Sequence, residues 1–336
     1  MRPFAVVAQQ VDTLYAQAMR PENKGHYAEE LWHYYPQLTH TKGRYQETRY
    51  VYDLCQLARF DPEGTRVLDV GCGYGLQLTI LYFMGIREGV GFDLSAERLN
   101  TFKQIINDFK LDATLCAHLM GLEDAEFEPE SFDMVLSNEA ISHYADVTMF
   151  FDKAARWLRR GGVLIIADGN NGANPRLARF TREVWRRFEQ GPPGAIGVHR
   201  VHRPYVELRA EIIQNAYPHL PLATVRQLSE RTSGMTRDAI LQAVARYLDT
   251  GELPHAFFDG KSCPVEPYSG AVIEHLFHPV RLANELARYG FRARAYAYFG
   301  GAGGNPVVRA ANRVLQWLTP LSLRWAPSFR LVAYKS

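Results

Sequence analysis

The stretch Val67-Leu68-Asp69-Val70-Gly71-Cys72-Gly73-Tyr74-Gly75-Leu76 constrains this chain more than any other. Four strand-forming residues run into three glycines at alternate positions, and helix-compatible residues follow through Leu81. A strand that ends in a glycine turn and restarts as a helix presents free backbone N–H groups. The missing Cβ atoms let a ligand come close. The turn alone points to a nucleotide-like ligand, and its setting decides which one.

That setting is an alternation of strands and helices. Residues 89–95 predict a second strand ending in Asp93, which follows Gly75 by 18 positions. An acid at the tip of the second strand takes up ribose hydroxyls in such folds. Ser95 is an N-cap for a helix carrying Leu99, Phe102, Ile106 and Phe109. Residues 113–117 predict a short third strand and 131–137 a fourth. The spacing predicts a helix over 150–160 stopped by Gly161-Gly162. The apolar run 162–168 predicts a strand buried on both faces. The pattern implies a parallel, doubly wound α/β sheet.

Around this core the chain divides into four stretches. Residues 1–60 predict an aromatic helical layer, broken at 40–45; the plain reading packs it on the main domain, and the sharper one closes part of it over the ligand and substrate. Residues 61–170 hold the core strands. Residues 171–275 break the alternation and predict an inserted helical cap, with one helix bearing Leu177, Phe180, Val184 and Phe188 and another over 236–248. Residues 276–336 resume it, with a helix over 279–289, a strand over 291–299, an amphipathic helix (Val307, Ala311, Val314, Leu318) and a last strand.

Composition excludes little. The 336 residues carry a net charge of +2, so no overall basic character argues for nucleic acid. The four cysteines are scattered without zinc-like spacing and read as free thiols of a reducing cytoplasm. The N-terminal apolar run is too short for a signal peptide, and no run approaches the roughly 18 apolar residues of a membrane span. A cytoplasmic protein, free to rest on a membrane, is expected.

On these motifs the chain resembles the class I S-adenosylmethionine-dependent methyltransferases that act on small molecules and lipids. The stretch 67–75 is similar to their first motif, Gly91-Phe92-Asp93-Leu94-Ser95 to the second-strand acid, and 131–140 to the fourth strand and following loop. Leu158-Arg159-Arg160-Gly161-Gly162-Val163-Leu164 resembles their helix-to-fifth-strand junction. The resemblance implies a Rossmann-like, doubly wound seven-stranded sheet in the order 3-2-1-4-5-7-6 with only strand 7 antiparallel. It implies S-adenosylmethionine held by Gly71, Cys72, Gly73 and Gly75, with Asp93 on the ribose and Asp69 orienting the loop or the amino group. Asn138 would lie beside the cofactor. The acid that the family commonly sets against adenine is missing near 118–124, which implies apolar adenine contacts from Leu94, Met120 and Leu122. A nicotinamide dehydrogenase would need Gly or Ala at position 76, where this chain has Leu76. A catalytically silent scaffold would need neither the turn nor Asp93.

Methyl transfer needs alignment and, for an oxygen or nitrogen acceptor, removal of a proton. His143, just past the fourth strand, is the candidate base, with Glu139 as the alternative. His199, His202 and Tyr205 are candidates for facing substrate. From Arg176 to Arg209 there are eight arginines against three acids. The plain reading is a solvated basic face; the sharper one is an anionic acceptor. His275 and His278 lack a third partner, so no metal site is expected. After Glu285 there is no acid. Residues 305–325 therefore suit either a membrane surface or packing against the sheet. The expected reaction is methylation of a small or lipid- or glycan-linked acceptor at oxygen, with carbon or nitrogen as alternatives.

Overall fold

The computed structural model describes residues 1–300 and 306–336. Its strands are β1 (Arg66–Val70), β2 (Glu88–Asp93), β3 (Leu115–Leu119), β4 (Phe132–Asn138), β5 (Leu158–Asp168), β6 (Gly194–Ile196), β7 (His199–Val201), β8 (Phe291–Tyr298) and β9 (Ser328–Lys335). Seven of them form one sheet in the order β3-β2-β1-β4-β5-β9-β8, while β6 and β7 make a separate hairpin. The pairings among β1 to β5 are parallel, and β9 runs antiparallel to both β5 and β8. Counting only strands of the large sheet, this is the order 3-2-1-4-5-7-6 with strand 7 antiparallel. Val67, Leu68, Val135, Leu136, Leu164 and Ile166 are buried, as expected of parallel strands covered on both faces.

The helices are α1 (Phe4–Ala18), α2 (Glu30–Tyr34), α3 (Thr41–Leu57), α4 (Leu76–Met84), α5 (Ala96–Asp108), α6 (Val147–Trp157), α7 (Pro175–Gln190), α8 (Tyr205–Ala216), α9 (Leu222–Glu230), α10 (Arg237–Thr250), α11 (Pro279–Leu286) and α12 (Pro306–Trp317). Local chemistry sets several starts. Ser95 caps α5 by accepting from the Arg98 N–H, and Asn174 caps α7 with Pro175 at its first position.

The chain falls into two compact units. One comprises residues 1–141, 146–171 and 278–336; the other comprises 142–145 and 172–277. The first holds the seven-stranded sheet. The second contains α7 to α10 and the hairpin, with Ile212, Ile213, Leu228, Ile240 and Val244 in its core. Among the described residues no helix is long and apolar enough to cross a membrane.

Several expected boundaries differ. The helix predicted over 150–160 ends at Trp157, because Leu158 already pairs with Phe132 as the first residue of β5. The register then shifts, with Gly161 at φ +76°, so the two glycines sit inside an irregular strand. The break expected at 40–45 lies earlier, since His40 caps α3 and Gly43 is within that helix. The inserted region holds two further helices, α8 and α9. Both readings of 305–325 keep support: Thr319 accepts from the Ala297 N–H of β8 and Leu323 is buried, while Val307, Val314 and Leu318 of α12 are exposed. Residue 305 itself lies outside the described residues.

Candidate active site

The carboxyl end of β1 delivers the glycine turn. Gly71, Gly73 and Gly75 have φ of +79°, +51° and +69°, the left-handed region that favours glycine. A Cβ on Gly75 would stand 2.1 Å from the Phe102 ring, so this glycine lets α5 pack against the turn. A Cβ on Gly73 would meet nothing within 4 Å. That position borders open space. The Cys72 side chain turns inward, against Gly91, and burial pushes its thiol well up. Its N–H donates to the Phe92 carbonyl and its C=O accepts from the Gly75 N–H, within the turn region.

Two carboxylates serve the turn. Asp93 at the tip of β2 accepts from the Gly73 N–H at 2.8 Å with one oxygen and from the Ser95 N–H at 2.8 Å with the other. Each oxygen keeps a further lone pair, enough for a pair of hydroxyls. Asp69 is buried, and neither of its oxygens has a hydrogen-bond partner among the described residues. Burial, then the nearby Asp93 charge, pushes its carboxyl up to about 8. An orphaned buried carboxylate beside a second acid suits a ligand bearing positive charge and hydroxyls, and opposes a pyrophosphate. S-adenosylmethionine, with its ammonium, sulfonium and ribose diol, fits these donors and acceptors.

Flanking residues complete the rim. Leu94 is exposed, Met120 half-buried and Leu122 buried. The Met120 N–H donates to the Asp93 carbonyl, which holds the 120–122 segment beside the acid. A Cβ on Gly121 would stand 3.3 Å from Leu94, so these apolar residues adjoin one another.

Sequence reading missed the role of α2. Glu30 accepts from the Tyr74 hydroxyl at 2.9 Å and from Arg98 at 3.0 Å. The Arg98 hydrogen bond holds its carboxyl below the usual range. Arg98 also lies over the Tyr34 ring at 4.7 Å. The N-terminal layer is thereby tied to the glycine turn and to the first turn of α5. The aromatic excess of residues 1–60 was the available signal; Glu30 and Arg98 carried none.

At the carboxyl end of β4, Asn138 accepts from the Tyr50 hydroxyl at 2.6 Å. Glu139, at φ +51°, accepts from the Gly169 N–H at 3.0 Å and so links the ends of β4 and β5. Arg330 on β9 is buried and lies over the rings of Tyr50 and Tyr298 at 5.0 and 3.9 Å. Asn138, Glu139, Tyr50, Tyr298 and Arg330 thus gather where these strands end.

His143 lies in the short helical turn 141–143 and is exposed. Its Nδ1 is 2.9 Å from the Ile273 carbonyl. A carbonyl only accepts, so this nitrogen carries the hydrogen and leaves Nε2 with a free lone pair in the neutral ring. The half-buried His275 nearby donates to the Tyr144 carbonyl.

In the second unit, Tyr205 is buried against Phe188, and His199 sits at the edge of the same ring. His202 is exposed. A cavity of about 1070 Å³ in this unit is lined by others, including Arg203, Arg226, Arg231 and Phe257. Not all the arginines form a solvated face. Arg209 is buried in a two-point pair with Glu189 and donates to the Ser229 carbonyl. Arg179 and Arg182 line a second cavity with Arg186. Among the described residues no cluster of three or more His, Cys, Asp or Glu side chains could hold a metal.

Comparison with known proteins agrees with this geometry. Residues 68–166 match the family model described as a methyltransferase domain. The chain is 32% identical over 114 residues to a ubiquinone biosynthesis O-methyltransferase of Mesorhizobium japonicum, covering 32% of this chain and 42% of that protein. It is 32% identical over 126 residues to a 2-methyl-6-phytyl-1,4-hydroquinone methyltransferase of Synechocystis, covering 36% and 38%. The chain therefore spans under half the length of these relatives. Among solved structures, an S-adenosylmethionine-dependent methyltransferase from Mesorhizobium loti aligns at 16% identity and a TM-score of 0.46, over 86% of this chain and 98% of that one. With the glycine turn, the two acids and the sheet order in place, residues 68–166 are a class I S-adenosylmethionine-dependent methyltransferase domain.

Proposed function

We propose that the whole chain moves a methyl group from S-adenosylmethionine to an oxygen of an anionic acceptor, either a small molecule or a lipid- or glycan-linked one. The observation that carries the cofactor half is Asp69, a buried carboxylate without a partner beneath an open glycine turn. The oxygen acceptor rests on the O-methyltransferase name of the relatives, and its anionic character on Arg179 and Arg182, which line a cavity with Arg186.

S-adenosylmethionine supplies a methyl group already activated on a sulfonium, so the protein contributes alignment, dryness and proton removal. Asp69 neutralises the cofactor's ammonium, Asp93 accepts from its ribose hydroxyls, and Leu94, Met120 and Leu122 offer apolar contacts to the adenine. Nε2 of His143 takes the acceptor proton, with Nδ1 held by the Ile273 carbonyl. Glu139 and Asn138 shape the floor at the end of β4. His199, His202 and Tyr205 belong to the acceptor side.

The test is transfer of labelled methyl from S-adenosylmethionine to metabolites of a cell extract, identified by mass. A label found on carbon or nitrogen displaces the oxygen assignment. Absence of S-adenosylmethionine binding by calorimetry removes the reading altogether and leaves a scaffold.

A further inference from the structure

Helix α12 is built inside out. Its buried residue is Asn312, which accepts from the Phe299 N–H at 3.1 Å and donates to the Gly300 carbonyl. Just beyond the helix, Thr319 accepts from the Ala297 N–H at 3.0 Å, and Ser322 donates back to the Leu315 carbonyl at 2.6 Å. Polar groups therefore fasten the segment to the edge strand β8. The apolar residues Val307, Ala311, Val314 and Leu318 recur every three to four positions, so they share one face. That face is turned to solvent. Val307 is 73% exposed, Trp317 77%, Leu321 59% and Trp325 64%. A helix packed for the fold's own benefit would show the opposite arrangement.

We propose that residues 306–325 dock the protein on a membrane leaflet containing anionic lipids. Three observations favour that occupant. Trp317 and Trp325 are both exposed on one short stretch with leucines and valines, and amphipathic rings of this kind settle at the headgroup level. Arg313 and Arg324 are exposed beside them, and Arg288, Arg292 and Arg294 are exposed on and just before β8. No acid follows Glu285 to cancel this charge; Asp53 on α3 offsets part of the charge on Arg309 and Arg313. A second copy of this chain would bring the same cationic surface against itself. An anionic leaflet is complementary to it in charge as well as in apolarity. The apolar face is short and fixed to a globular unit, so the contact is reversible, a landing and not an anchor.

The experiment is co-sedimentation of the full chain with vesicles of phosphatidylcholine alone and of phosphatidylcholine with phosphatidylglycerol. Binding is expected to be at least roughly tenfold stronger to the anionic vesicles and to weaken with salt. The pair W317S and L321S should lose most binding to either vesicle, while R313Q with R324Q should lose only the anionic preference. All substituted side chains are exposed, so circular dichroism and S-adenosylmethionine titration should match the parent, which separates failure here from failure of the cofactor assignment. Equal sedimentation of parent and W317S/L321S overturns the proposal, as does no vesicle binding by the parent. A dimer in sedimentation velocity that W317S/L321S dissociates also overturns it and gives the face to a second copy.

Discussion

The Gly73 N–H donates to Asp93 across 20 residues of chain at 2.8 Å, joining the glycine turn after β1 to the tip of β2. One carboxylate thus shapes the turn and, on the proposed function, also takes up the ribose hydroxyls. Asp93→Ala should weaken S-adenosylmethionine binding at least about tenfold, since a hydrogen bond to a charged group contributes about 1.5–3 kcal/mol. Titration calorimetry reads this directly, and undiminished binding refutes the role.

Two glycines of one turn should fail differently. Gly75→Ala drives a Cβ into Phe102, adding about 1–3 kcal/mol of overpacking to about 1–2 kcal/mol of left-handed strain; its melting temperature should fall clearly. Gly73→Ala meets no atom and should cost only the backbone term, yet lose cofactor affinity because the methyl enters open space. Thermal melts beside binding isotherms separate the two.

Asp69 sets a pH dependence of the ligand-free protein. Its folded value of about 8 stands above the unfolded 3.8. Between these values the native state holds a proton that the unfolded chain has lost, so stability falls as pH rises from about 4 to about 8. Asp69→Asn should flatten that slope and weaken cofactor binding. Melts from pH 5 to 9, with and without S-adenosylmethionine, check both signs.

His143→Ala should lower kcat about 10²- to 10⁴-fold while leaving the S-adenosylmethionine Kd unchanged. A parallel loss of cofactor affinity would assign the residue to structure. His143→Gln, which can still meet the Ile273 carbonyl, distinguishes lost support from lost basicity.

Removing one partner of the buried Arg209–Glu189 pair should cost about 3–5 kcal/mol. Arg209→Met with Glu189→Leu should recover much of that loss. Denaturant unfolding of the single and double variants gives the comparison.

The core strands were legible because burial on both faces leaves an unbroken apolar run, as at 163–167. The glycine turn and Asp93 were legible because their backbone and charge requirements are local. Arg209 was not, since its environment depends on Glu189 one helix earlier, and in sequence it looks like one more solvated arginine. Gly161-Gly162 misled because a helix stop and an irregular strand use the same residue. The periodicity of α12 showed a stripe, but periodicity cannot say which way a stripe faces. Asn312 decides that, through partners just past the end of β8.

The Gly172 N–H meets the Phe277 carbonyl at 2.5 Å, so the residues that open and close the long excursion between β5 and α11 are hydrogen-bonded neighbours. An excursion that leaves and re-enters through one doorway can be exchanged like a cartridge. Descendants of such a chain could acquire new acceptors by replacing the interval between these two residues, while the glycine turn and its two acids are inherited untouched.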